Sequence, residues 1–200
     1  TYDNIDLCLQ TGMKYHTIGF FTSVWTDPVE PFVRPSWMFT AYGCIGAWQG
    51  KVPDKKTFTA NYTALQYPAV ADEISRALSL LAQSGEELEQ CLGKNTGGLP
   101  RGTILESWSN PFQPYHMANT RANIDHFLLS RKLSEEAEGI LINALDKANA
   151  KDKSFINSFL VTARILNYSS TRFILAKTIS DRWANSSEKN KKDDFVIYDI

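Results

Sequence analysis

One β-prone run stands in a chain whose other patterned segments are helical, and that imbalance constrains the fold more than any other feature. Thr17-Ile18-Gly19-Phe20-Phe21-Thr22-Ser23-Val24-Trp25 is rich in β-branched and aromatic residues. A nearly continuous apolar run of this length predicts a strand buried on both faces, the kind found in parallel sheets. Thr26-Asp27-Pro28 ends it, because proline lacks the N–H that a central strand donates. A parallel strand needs neighbours, and no second run before the C-terminus supplies one. The chain starts Thr1-Tyr2-Asp3 and ends on the apolar Phe195-Val196-Ile197-Tyr198-Asp199-Ile200. Both ends read as cut, and the missing strands are expected in a longer polypeptide.

The remaining pattern predicts helices. Tyr2 to Tyr15 fits one loosely through Ile5, Leu7, Leu9 and Met13. Arg34 to Gln49 carries Trp37, Met38, Tyr42, Ile45 and Trp48 at helical spacing, with Pro35 near its start and Gly50 closing it. Asp54 is placed to cap a helix that buries Phe58, Tyr62 and Leu65, and Pro68 breaks it. Helices follow over Val70 to Ser84, Glu86 to Leu92 and Tyr115 to Arg131, then one capped by Ser134 with Glu135 and Glu136 in its first turn. The last spans Asp152 to Ala184, with Phe155, Phe159, Ala163, Leu166, Phe173, Ile174 and Trp183 facing inward. A helix–strand–helix start followed by a helical body fits the last unit of an α/β barrel or doubly wound sheet with an appended helical domain.

Charge and cysteine content narrow the function classes. Lys plus Arg is 21 and Asp plus Glu is 22, a net charge of −1, which leaves no electrostatic footprint for nucleic acid or an anionic membrane. No apolar run approaches the ~20 residues that span a bilayer. Cys8, Cys44 and Cys91 lie too far apart in sequence for a short-spaced metal knuckle and are expected to be small buried residues. His116 and His126 are too far apart to share a metal, and His16, ahead of the strand, reads as structural. Lys94 to Leu99 holds two glycines without the Gly-Lys-Ser/Thr ending of a phosphate loop. Neither a cofactor nor a metal site is expected.

The chemistry concentrates at the end of the strand. Trp25 and Asp27 are two residues apart and so project to one side. An indole plate beside a carboxylate suits a sugar, since the ring covers its C–H face and the carboxylate accepts from hydroxyls. A buried Trp with Asp27 opening a turn before Pro28 accounts for the same residues. Trp108, Phe112 and Tyr115 with Asn110 form an aromatic loop, read as pinned to the core ahead of lining a cleft. Asp72-Glu73 and Asp193-Asp194 read as solvated carboxylates.

Phe20-Phe21-Thr22-Ser23-Val24-Trp25-Thr26-Asp27, followed by an aromatic helix ending Ala47-Trp48-Gln49-Gly50, resembles the last barrel strand and helix of glycoside hydrolase family 20, the β-N-acetylhexosaminidases. The resemblance covers roughly residues 1–67. It implies that Trp25 stacks on the sugar and Asp27 holds its outer hydroxyls. Glu30 follows as a second polar contact, with Pro28-Val29 standing where Asp-Gly is common. The family's catalytic Asp-Glu pair lies on an earlier strand, so no catalytic residue is expected here and the chain would not hydrolyse a glycan alone. The expectation is a mainly α chain: residues 1–50 as the last β/α unit of a (β/α)8 barrel, and 51–200 as a helical, bundle-like C-terminal domain. Its partners would be a glycan ending in N-acetylhexosamine and the remainder of its own polypeptide. A non-catalytic helical interaction domain, whose aromatics fill its core, is the alternative, and a different α/β-barrel hydrolase with a similar last strand is a third reading.

Overall fold

The computed structural model describes residues 2–23, 33–93 and 109–186. Among them are seven α-helices and one π-helical turn, with no strand: α1 (Tyr2–Lys14), α2 (Val33–Gln49), α3 (Lys55–Gln66), α4 (Ala71–Leu88) running into the π turn Glu89–Gly93, α5 (Pro114–Ala122), α6 (Ile124–Lys147) and α7 (Ala150–Asn185). The mainly α expectation holds. None of these helices is long and apolar enough to cross a membrane.

Residues 17–23, the described part of the expected strand, form no strand. Ile18 is fully exposed and Phe21 is 88% exposed, so the run is not buried on both faces. The physical reason is the one that made the run unusual: no other strand among the described residues supplies a ladder for its N–H and C=O groups.

Turn chemistry sets the N-terminal helices. α1 ends in a Schellman motif in which Thr17 N–H donates to Gly12 C=O (3.0 Å) and His16 N–H to Met13 C=O (3.2 Å). His16 sits at φ 52°, a left-handed conformation that most L-residues adopt at a cost. α2 ends the same way: Lys51 N–H bonds Gly46 C=O (3.2 Å), Gly50 N–H bonds Ala47 C=O (3.4 Å), and Gly50 holds φ 61° without penalty. Asp54 caps α3 by accepting from Thr57 N–H at 2.8 Å.

The C-terminal body is built from α4, α6 and α7. Two breaks differ from the sequence pattern. No boundary falls at Ser134, which lies buried inside α6 with its hydroxyl donated back to Ser130 or Arg131 C=O (both 2.9 Å). The break sits instead at Asn123, whose Nδ2 bonds Asn119 C=O and Asn119 Oδ1. Likewise Gly85 does not divide α4, which continues into the π turn.

Buried side chains from α1, α2, α3, α4, α6 and α7 join in one apolar cluster, from Ile5 and Leu9 to Phe173. Tyr42, Phe127 and Phe173 are its largest fully buried members, and Phe127 stacks on Phe173 at 5.2 Å. Trp183, expected inward, is half exposed. Alpha-helical rise makes α7 about 54 Å long against about 36 Å for α6, so its last turns run past the start of α6. Leu65, expected buried in α3, is exposed as well.

Candidate functional site

Trp25, Asp27 and Glu30 lie outside the described residues. What the structure describes is the stem that leads to them. Phe20 and Thr22 lie against α2 at Gly43, where a β-carbon would come within 2.8 Å of the Phe20 ring and 3.1 Å of Thr22 Oγ1. Gly46, one turn on, leaves room for Leu9 of α1. Glycines three apart share one helix face, so α2 offers a shallow trough that receives α1 and residues 20–22. Thr22 Oγ1 is buried there with no hydrogen-bond partner among the described residues. The opposite side of α2 is apolar and exposed through Trp37, Ile45 and Trp48.

A polar network joins α1, α2 and α3. The Tyr42 hydroxyl, on a fully buried ring, lies 2.7 Å from Asp6 Oδ1 and 2.8 Å from Pro53 C=O, and its single proton serves one of them at a time. Lys55 pairs with Asp3 and with Asp6 Oδ2 (3.2 Å). Tyr2 and Thr59 hydroxyls meet at 2.8 Å. Burial, reinforced by the Asp6 carboxylate, pushes the Tyr42 phenol well above its ordinary 10.0. Asp3 is held below the usual carboxylate range by the Lys55 ammonium. Asp3 and Asp6 are three apart on α1, which places both toward Lys55; that spacing was readable in the sequence, though its partner on α3 was not.

A second polar cluster surrounds the π turn. Asn119 Nδ2 donates to Cys91 C=O, and the Cys91 thiol lies 3.3 Å from Glu87 C=O and 3.7 Å from Asn123 C=O. His116 is buried, its Nε2 2.9 Å from Ser109 Oγ and its ring against Phe173, whereas His126 is exposed and pairs with Glu87. Burial raises the Cys91 thiol to about 12, which leaves it protonated and weakly nucleophilic at neutral pH. The π geometry itself, an extra residue in the helical turn, carries no sequence signature here.

The other candidates fall as follows. Cys91 is buried as expected, but Cys8 and Cys44 are exposed, because they sit on the outer sides of α1 and α2. His16 is the left-handed cap residue of α1. Trp108 lies outside the described residues. Phe112 and Tyr115 are about half exposed, and the Tyr115 ring meets the buried His116 ring edge-on at 5.1 Å. Buried Pro111, the Asn110 turn (Phe112 N–H to Asn110 Oδ1, 3.0 Å) and the Ser109–His116 bond also hold the described part of the loop. Asp72 is exposed and Glu73 pairs with Lys147 at 2.8 Å, beside a shallow depression of about 270 Å³ that Arg76, Ile140 and Asn143 also line. Glu73 is held below its ordinary value by that hydrogen bond. Among the described residues no three His, Cys, Asp or Glu side chains converge on a metal-sized site. Compared with known proteins, the chain matches no protein-family model, no curated protein and no solved structure.

Proposed function

We propose that this chain is the C-terminal portion of a family-20-like glycoside hydrolase that acts on terminal N-acetylhexosamine residues. In this reading residues 1–50 are the closing β/α unit of the barrel and the helical body packs beside it. Trp25 stacks on the sugar, and Asp27 and Glu30 accept from its hydroxyls. The Asp-Glu pair that carries out proton transfer and orients the acetamide is supplied by preceding residues. The observation that carries the reading is the Trp25-x-Asp27 pair at the end of a β-prone run set between two helices.

The test is turnover of an aryl N-acetyl-β-glucosaminide by the polypeptide that carries this chain. Trp25→Ala should lower kcat/KM at least about tenfold through loss of stacking; unchanged kinetics refutes the role. A polypeptide without an Asp-Glu pair ahead of Thr1 refutes the hydrolase. A second reading, a non-catalytic helical interaction domain, draws on the single apolar cluster into which Tyr42, Phe127 and Phe173 are packed. It gains if the polypeptide shows no glycosidase activity.

A further inference from the structure

We draw no further inference here: the strongest candidate, the apolar surface patch of Ile45 and Trp48 on the outer face of α2, carries nothing because nothing in the structure shows what covers it.

Discussion

The helices of the N-terminal region and those of the C-terminal body are held together by different chemistry. Around α1, α2 and α3, rings meet edge-on: Tyr2 on Phe39 and Tyr42, and Tyr42 on Phe58, at 4.6 to 5.1 Å. Two glycines on α2 let the neighbouring chain come close. Between α4, α6 and α7 the central contact is three serines with no exposed surface. Ser130 Oγ donates to Ser84 C=O at 3.0 Å, Ser84 Oγ lies 2.8 Å from Ser130 Oγ, and Ser170 Oγ donates to Ser130 Oγ at 3.0 Å. Rings fill volume and tolerate sliding, whereas hydroxyls hold only in one alignment.

The largest perturbation of this contrast is Phe173→Ala, expected to cost about 3–5 kcal/mol through lost burial and the cavity it leaves. Because one apolar cluster joins both regions, urea melts followed by tryptophan fluorescence and by circular dichroism should fall together. Separate transitions would show that the two packings are independent bodies. Next, Ser130→Ala removes the donor to Ser84 C=O and an acceptor for Ser170, a loss of about 1–3 kcal/mol. Ser169→Ala, whose buried hydroxyl has no partner among the described residues, should leave the melting temperature unchanged or raised. Equal losses at both sites would mean that the serines act only as small residues.

In the aromatic region Tyr42→Phe should cost about 1 kcal/mol at neutral pH. Its pH dependence carries a definite sign. The folded phenol titrates above its unfolded value, so above pH 10 the unfolded chain loses this proton first and stability falls as pH rises. The variant should flatten that alkaline limb in denaturant melts against pH. The smallest effect expected is His16→Gly, which relieves the left-handed strain at the end of α1 and should stabilise by about 0.5–1 kcal/mol. A lower melting temperature would show that the His16 ring holds the cap.

Local rules read from the sequence hold where the cause is itself local. The Asp54 cap, the Gly50 stop and the Pro68 break are each written in one to three residues, and α7 from its long 3.6-residue pattern appears almost whole. The misplaced boundary at Ser134 shows the limit. A serine ahead of two glutamates is a good helix start, but its hydroxyl is equally satisfied by a carbonyl one turn back when neighbouring helices leave no room for more. The π turn, the partner of Asp6 and the exposure of Cys8 and Cys44 depend on which helix lies alongside, which spacing within one segment does not encode. The strand reading of residues 17–25 came from composition, and the described part lacks the neighbours that would turn propensity into a ladder. Trp25, Asp27 and Glu30 remain a sequence-level site.

The three-serine contact also decides how the body can move. Sliding α6 by one turn against α4 would keep apolar surface on apolar surface but would break the Ser84–Ser130 bonds and leave hydroxyls and a carbonyl stranded in a dry interior, at about 1–3 kcal/mol for each group. The contact works as an indexing pin. Rotation about it is soft, translation past it is stepped, and any displacement of the last turns of α7 reaches α4 as a pivot about this point.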